Sequence, residues 1–454
     1  MSIMRVYGMA SGLDTENIIR QLMDAERIPL RKLQVRKTEL QLQRDAWRDI
    51  NSRLRTLDSR AMELRLAGTF TALQATSSQS GVLTATATTG ASLATYELQV
   101  EQTACAQRVA STATPGFAVP LTGTFAISGV TVTVAGAQTL ADIQAAINGT
   151  AGVGVSANTV DGRLVLTRRE TGAANPISYA YLEGDNILLQ LGLFDSAAGT
   201  VLHQELQAGR NAVVFIDGLR VERAGNVLTD VIAGVELVLH QGSTSPARLE
   251  IARDSSRVLG AVRGFVEQYN SVMEFMAGKL GKEGDLQGEP ALVRVQAALR
   301  QLPSEKYGAA AGYTNLLDLG LTTKDSGSEL GFNQAGRLTM DDSRVREKFL
   351  ADPSAFREFF AGETGFGQTA GKYLQTVIAA GHGAIPTRER GLEQTIQVLD
   401  GQVERFTERL SRREEQLLRQ FTALERALSG MQSQGAWLSG QLATLGGFDT
   451  LLRG

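Results

Sequence analysis

The stretch 30–66, LRKLQVRKTELQLQRDAWRDINSRLRTLDSRAMELRL, carries apolar side chains at every seventh position. The first line of the repeat is Leu33, Leu40, Trp47, Leu54 and Ala61, and the residues three places further on are Arg36, Gln43, Ile50, Leu57 and Leu64. A sustained seven-residue repeat predicts a helix that packs against another helix in a coiled coil. At ~1.5 Å per residue, this helix forms a rod on the order of 50 Å long.

The C-terminal part of the chain carries the same pattern in reverse. Its first line is Ile396, Val403, Leu410, Leu417, Leu424, Met431, Leu438 and Leu445, with Leu399, Phe406, Arg413, Gln420 and Ala427 three residues after the first five. The second line is apolar at the end of the N-terminal repeat and at the start of the C-terminal repeat. Because the second apolar line lies at opposite ends of the two repeats, the repeats are predicted to pair antiparallel, with residues 47–64 opposite about 392–410 and 30–46 opposite about 411–428. The alternative is that each apolar stripe packs separately on a globular core.

Local signals place the ends of several helices. Asp14 is a predicted N-cap, and Pro29 is expected to begin the long second helix, where its missing N–H costs nothing. Further on, residues 343–361 have a helical pattern that Pro353 divides, and the acidic pair Asp341 and Asp342 caps its start.

The middle of the chain has a different composition from both ends. Residues 76–250 carry 8 Arg against 14 Asp and Glu, a net charge of −6, whereas the remainder carries 37 basic and 34 acidic side chains, a net charge of +3. Short alternating runs rich in Val and Thr recur there, several of them bounded by turn pairs such as Asp161-Gly162 and Asp217-Gly218. This pattern predicts short antiparallel strands and hairpins, interrupted by one helix over 140–148.

The composition excludes several classes of function. One Cys and three widely separated His residues leave no disulfide scaffold and no cysteine-based zinc site. The net charge of −3 gives no electrostatic reason for a nucleic-acid partner, and no sufficiently apolar run of ~20 residues suggests membrane insertion. No nucleophile, metal set or acid–base pair emerges, so we expect neither an enzyme nor a cofactor.

Four blocks of the sequence resemble the flagellar filament cap protein family, flagellar hook-associated protein 2. The blocks are Ser11-Gly12-Leu13-Asp14 through Asn51, Asn211 through Asn270 with Phe215-Ile216-Asp217-Gly218, Leu319 through Thr339, and Gln420 through Gln434. Residues 139–172 look like the short β–α–β insert that hook-associated proteins share with flagellins. The resemblance covers nearly the whole chain in the family's order.

The resemblance implies a structural assembly factor at the distal tip of the bacterial flagellar filament. Such a protein leaves the cell through the flagellar type III export channel and forms a ring of identical subunits, a pentamer in the best-known members. It promotes the folding and insertion of exported flagellin and prevents its leakage. Its implied partners are itself, flagellin, the hook–filament junction proteins and an export chaperone.

We therefore expect an α+β multidomain protein: an antiparallel helical coiled-coil stalk formed by the N- and C-terminal parts, with inserted β-rich head domains of antiparallel sheet. The expected segments are an N-terminal arm (1–32), a stalk helix (33–72) paired with a helical stalk domain (252–420), a head domain (73–112 with 211–251), a second inserted head domain (113–210) that contains the flagellin-like insert motif (139–172), and a C-terminal arm (421–454).

Interface residues follow from the apolar lines. The candidates for packing or partner contacts are Leu33, Leu40, Trp47, Ile50, Leu54, Leu57, Val403, Phe406, Leu410, Leu417, Phe421, Leu424 and Met431. The second hypothesis is an extracellular adhesin that binds mucin-type glycans through its β-rich head domains. Tyr179 and Tyr181, which alternate on one strand, are the best candidate glycan contacts, although packing within the protein is the simpler role for them.

Overall fold

The computed structural model describes residues 14–112, 120–193, 204–308, 312–323 and 336–451, and describes side chains as far as residue 442. The first 13 residues of the predicted N-terminal arm and the side chain of Leu445 lie outside this description. The chain divides into two compact units, Ala67–Val258 and the combination of Met1–Leu66 with Leu259–Gly454. We call them the β unit and the helical unit.

The helices follow one another along the chain as α1 (Thr15–Glu26), α2 (Ile28–Arg65), α3 (Ala67–Thr71), α4 (Leu140–Gly149), α5 (Ile187–Gln190), α6 (Ser255–Leu280), α7 (Pro290–Gln301), α8 (Asp342–Ala351), α9 (Pro353–Ala361), α10 (Phe366–Ile378) and α11 (Ala384–Leu451), with a short 3₁₀ helix at Leu316–Leu319.

The strands are β1 (Leu73–Ser77), β2 (Leu83–Ala87), β3 (Ala94–Gln102), β4 (Arg108–Ala110), β5 (Leu121–Ile127), β6 (Val130–Ala137), β7 (Val155–Val160), β8 (Arg163–Arg168), β9 (Tyr179–Gly184), β10 (Glu205–Gln207), β11 (Ala212–Ile216), β12 (Leu219–Arg223), β13 (Val227–Ile232), β14 (Val235–Leu239), β15 (Ala247–Arg253), β16 (Leu321–Thr322) and β17 (Thr339–Met340).

In its described residues, the β unit has four antiparallel sheets around two cores. A five-stranded sheet of order β1-β15-β3-β11-β12 and a three-stranded sheet of order β13-β14-β2 share one core, which includes Leu98, Leu237 and Leu249. A four-stranded sheet of order β10-β4-β8-β7 and a three-stranded sheet of order β6-β5-β9 share the other, which includes Phe125 and Ile143. The expected antiparallel β architecture is therefore confirmed, whereas the division into the five segments proposed above stays a prediction.

The turn pairs form as their chemistry requires. Asp161 and Gly162 join β7 to β8 with φ values of 48° and 69°, and Asp217 and Gly218 join β11 to β12 with φ values of 48° and 81°. Two consecutive residues with positive φ match the right-handed twist of the flanking strands, and the pair Asp-Gly tolerates this conformation. These hairpins fix the strand register on both sides.

Several helix ends also lie where the sequence places them. Asp14 accepts a hydrogen bond from the backbone N–H of Asn17 at 3.0 Å and so caps α1, and Pro29 lies in the first turn of α2. Asp341 caps α8 through the N–H of Arg344 at 3.1 Å, and Pro353 opens α9. The expected break at Pro353 is therefore present.

The antiparallel pairing of α2 with α11 is confirmed, but its predicted register is wrong. Arg44 binds Glu393 and Lys37 forms an ion pair with Asp400, whereas the prediction placed residues 30–46 opposite 411–428. The part of α2 after Asn51, which the prediction also places opposite α11, packs on α10 and α6 instead. Gln375 donates a hydrogen bond to Asp58, and Gln268 donates one to the backbone of Arg53. A heptad repeat indicates that a helix is covered, but not by which neighbour.

Candidate interaction surface of the helical unit

Polar contacts set the register of the pair formed by α2 and α11. The guanidinium of Arg44 donates to Glu393 Oε2 at 3.1 Å, and Asn51 Nδ2 donates to Glu389 Oε1 at 3.0 Å. The hydrogen bond of Arg44 to neighbouring Asp45 raises the pKa of the guanidinium, so its charge is secure. These contacts hold residues 37–51 against residues 389–400.

A small separate core joins α1 to the middle of α11. Ile19, Met23, Leu410 and Leu417 are buried there, and Leu30, Phe406, Leu418 and Phe421 pack against them in part. Ion pairs flank this core, between Arg413 and Glu26 at 3.1 Å and between Arg27 and Glu414 at 3.6 Å. All four of these charged side chains are about 40% exposed or more, so each pair is worth on the order of 0.2–1 kcal/mol, and apolar burial holds the segment in place.

The thirteen predicted interface residues fall into three groups by exposure. Seven are buried inside the helical unit: Leu40, Trp47, Ile50, Leu54, Leu57, Leu410 and Leu417. Four are half-buried: Leu33, Val403, Phe406 and Phe421. Leu424 and Met431 are exposed, at 46% and 61%. The buried seven pack within this chain, so contacts with a partner rest on the other six.

The exposed residues continue the apolar line of α11 beyond its last packed position. Leu424, Met431 and Leu438 follow Leu417 at intervals of seven residues, and all three are exposed on the described part of the helix. We call them the exposed seam. Leu442, four residues after Leu438, shares this face and is 67% exposed, and Trp437, which precedes Leu438, is 64% exposed. The sequence pattern does not mark these two residues, because neither belongs to the first apolar line. An apolar helix face of this length without cover is typical of a surface that a partner covers.

A second exposed line was also missed. Ile28, Val35 and Leu42 recur at intervals of seven residues on α2 and are exposed. The signal was present in the sequence as a third heptad position. These residues do not stand out in the sequence, because the line through Leu33 and Leu40 is by itself sufficient to predict a helix.

The two tyrosines proposed as glycan contacts have different environments. Tyr179 is buried against Phe125, with ring centroids 6.0 Å apart, and its hydroxyl donates to Asn186. Burial raises the pKa of Tyr179 to about 12. Tyr181 is 42% exposed and donates to the carbonyl of Gly184 at 2.9 Å. The burial of Tyr179 leaves it no free face for a ligand.

The described residues offer no assembled site for metal chemistry. No group of three or more His, Cys, Asp and Glu side chains among them lies close enough to hold a metal ion. Within the same part of the chain, no helix is both long and apolar enough to cross a membrane.

Family models match three parts of the chain. The model described as flagellar hook-associated protein 2 N-terminus matches residues 11–107, and the model described as flagellar hook-associated protein 2 C-terminus matches residues 209–433. Between them, the flagellin hook IN motif matches residues 121–169, which contain most of the insert recognised in the sequence. The three matches occur in the order that the resemblance predicted.

Whole-chain relatives agree with these models. The A-type flagellar hook-associated protein 2 of Pseudomonas aeruginosa is 28% identical, over 97% of this chain and 98% of that protein. Flagellar hook-associated protein 2 of Escherichia coli K12 is 23% identical, over 97% and 98%. None of these names describes an enzyme, and none supports the adhesin hypothesis.

A solved structure shares the fold. The crystal structure of the flagellar cap protein FliD from Escherichia coli, domains D1-D2-D3, aligns with a TM-score of 0.59 at 24% identity, over 77% of this chain and 99% of that one. The match supports the arrangement of a helical part formed from both ends of the chain and antiparallel sheets between them. The two terminal family models, which together match most of the chain, show that this chain belongs to the flagellar hook-associated protein 2 family, the filament cap proteins.

Proposed function

We propose that this chain caps the distal tip of the bacterial flagellar filament, where it is an extracellular structural assembly factor and not an enzyme. In this role it promotes the folding and insertion of exported flagellin and prevents flagellin from leaking into the medium. The family assignment gives the role, and the finer steps are inferred from the resemblance.

The observation that carries the proposal is the exposed seam on the helix that ends the chain. Leu424, Met431 and Leu438 continue a line whose earlier members, Leu410 and Leu417, are packed inside the protein. The packed residues fix this part of α11 to the rest of the helical unit, and the exposed residues leave the apolar face beyond it accessible to a partner. Such an end suits lateral contacts with neighbouring helices in an assembly.

The assembly proposed here is a ring of identical subunits, with the pentamer as the first stoichiometry to test. Its further partners are flagellin, the hook–filament junction proteins and an export chaperone, and its route out of the cell is the flagellar type III channel. The arms over 1–32 and 421–454 carry the partner contacts in this proposal. Half-buried Leu33, Val403, Phe406 and Phe421 contribute at the base of the arms.

Deletion of the gene tests the capping role. The proposal predicts full-length flagellin in the culture medium and no long filaments on the cells, measured by immunoblot of the supernatant and by electron microscopy. Restoration of the gene on a plasmid must return both to the parental state. Normal filaments in the deletion strain would contradict the proposal, and normal filaments together with lost binding to mucin would favour the adhesin hypothesis.

Truncation tests the arm. Removing residues 1–40 deletes Ile19 and Met23, which cover Leu410 and Leu417, but leaves the second half of α2 with its α6 and α10 contacts. We expect a protein that remains folded by circular dichroism yet fails to restore filaments in the deletion strain. A truncated protein that caps filaments would show that the arm is dispensable.

A further inference from the structure

A groove lies between the start of α2 and the middle of α11. Its floor is apolar, formed by Pro29, Leu33 and Phe406, and its rim is basic, formed by Lys32, Arg405 and Arg409. The groove has a volume of about 620 Å³ and is open to solvent along one side. It is therefore large enough for several side chains of an incoming segment and too open to enclose a small molecule.

The groove exists because α2 pairs with α11 here without the cover that α6 and α10 give it further along. No side chain of α2 between residues 28 and 39 is fully buried, whereas Trp47, Ile50, Leu54 and Leu57 further along the helix are. Leu54 and Leu57 lie beside the contacts that α2 makes with α6 and α10 at Arg53 and Asp58, while the start of α2 pairs with α11. Two helices leave a furrow between them that a third helix fills in a three-helix bundle.

The charges on the rim have no counterpart among the described residues. Lys32, Arg405 and Arg409 form no ion pair with any of the residues that the structure describes. Basic residues close by are paired, as in Arg36 with Glu39 at 3.1 Å and Lys37 with Asp400. The guanidinium of Arg409 lies over the ring of Phe406, 4.1 Å from its centroid, so the cation and the apolar floor form one surface. Three uncompensated cations around an apolar floor are complementary to an acidic, amphipathic segment.

We propose that this groove docks an acidic amphipathic helix of a partner protein as the third helix at this level. Apolar side chains of that helix enter between Leu33 and Phe406, and its flanking carboxylates meet Lys32, Arg405 and Arg409. A second copy that meets the groove with its own groove is disfavoured as the occupant, because two such grooves facing each other bring six like charges together. The proposal concerns binding alone and does not depend on the capping role.

Fluorescence anisotropy with the full-length chain tests the proposal. The probe is a labelled 21-residue helical peptide with Leu at one position of each heptad and Glu at the flanking positions. Two matched peptides serve as controls: one replaces each Leu with Ser, and the other replaces each Glu with Lys. We expect only the acidic apolar peptide to bind, and we expect its affinity to fall as NaCl is raised from about 50 to about 500 mM.

The variant K32E/R405E/R409E should weaken binding of the acidic apolar peptide by about tenfold or more. Arg357→Glu, at an exposed position on α9, is the matched control for each of the three groove substitutions made singly and should bind as the parent does. Circular dichroism confirms that both variants are folded.

The proposal is overturned by no binding to the parent chain, by equal binding to the groove variant, or by equal binding of either control peptide. Self-association of the parent that the groove variant abolishes in sedimentation would also overturn it, because the occupant would then be a second copy.

Discussion

Trp47 allows the packing of the helical unit to be tested at a single side chain. It is 1% exposed on α2, in the part of the helix that packs within the unit. Its indole Nε1–H is buried and meets no hydrogen-bond acceptor among the described residues. Replacement by Phe removes this donor and keeps a large ring, whereas replacement by Ala removes the ring as well.

The two substitutions should therefore differ by several kcal/mol. Trp47→Phe deletes two ring carbons, a loss of roughly 1.6 kcal/mol at about 0.8 kcal/mol for each buried carbon. It also removes an unpartnered buried donor, which costs about 1–3 kcal/mol in the parent. These effects oppose each other, so we expect a net change within about 1 kcal/mol. Trp47→Ala leaves a cavity and should cost about 3–5 kcal/mol.

Urea unfolding followed by circular dichroism at 222 nm measures both variants, because this signal reports mainly on the helical unit. Fluorescence is unsuitable, since the substitution removes one of only two Trp residues. A Phe variant that loses as much stability as the Ala variant would refute the reasoning. It would mean that the indole N–H is satisfied or that the site cannot adjust to a smaller ring.

The other predictions concern separate features. Met431→Ser, on the exposed seam, should change the unfolding free energy by less than about 0.5 kcal/mol yet reduce filament formation in the complemented deletion strain; unchanged filaments would remove Met431 from the proposed surface. Thr139→Ala should cost about 0.5–2 kcal/mol in urea unfolding of the β unit, because the Thr139 side chain caps α4; a cost near zero would contradict this role. Backbone hydrogen bonds, first that from the N–H of Gln138, lower the pKa of Asp142, so the Asp142 carboxylate stabilises the fold above the unfolded pKa of about 3.9 and this stabilisation is lost as pH falls through the folded pKa. Asp142→Asn should therefore make the melting temperature less dependent on pH in acid. An unchanged pH dependence would contradict this role of Asp142. Gly184→Ala should cost about 2 kcal/mol or more in the same urea assay, because φ is +76° and an added Cβ would lie 2.5 Å from a carbonyl oxygen; near-parental stability would show that the turn adapts.

Local features of the fold could be predicted from the sequence because short-range chemistry determines them. The Asp161-Gly162 turn needs two residues with positive φ, and the cap at Asp14 needs a side-chain acceptor beside free N–H groups. The antiparallel direction of the helix pair could also be predicted, since the second apolar line turns polar toward the N-terminus in the first repeat and toward the C-terminus in the second. The first two inferences use information within a few residues, and the third compares the patterns of two long repeats.

The helix register could not be predicted because it depends on a third element. Ile50, Leu57 and Leu64 require cover, but the pattern is equally compatible with α11 and with α10, which contacts α2 beside Asp58. With 13 residues, α10 is too short for a sustained heptad that would mark it as the partner. The register is set instead by tertiary packing and by cross-helix contacts such as Arg44 with Glu393.

The glycan candidates show a similar limit. Alternation along a strand suggested equivalent positions for Tyr179 and Tyr181, but only the first residue of β9 is buried, and the remaining five are exposed. The strand leaves the core after Tyr179, and the paired strand β5 shifts register between Thr124 and Phe125. Periodicity gives the face of a residue but not where along a strand the core ends.

Immunogold electron microscopy of intact filaments tests the central claim most directly. Antibodies against the β unit should label one end of each filament, the end distal to the cell, and the label should disappear in the deletion strain. Gold particles distributed along the filament shaft or over the cell body, with bare distal ends, would contradict the capping role.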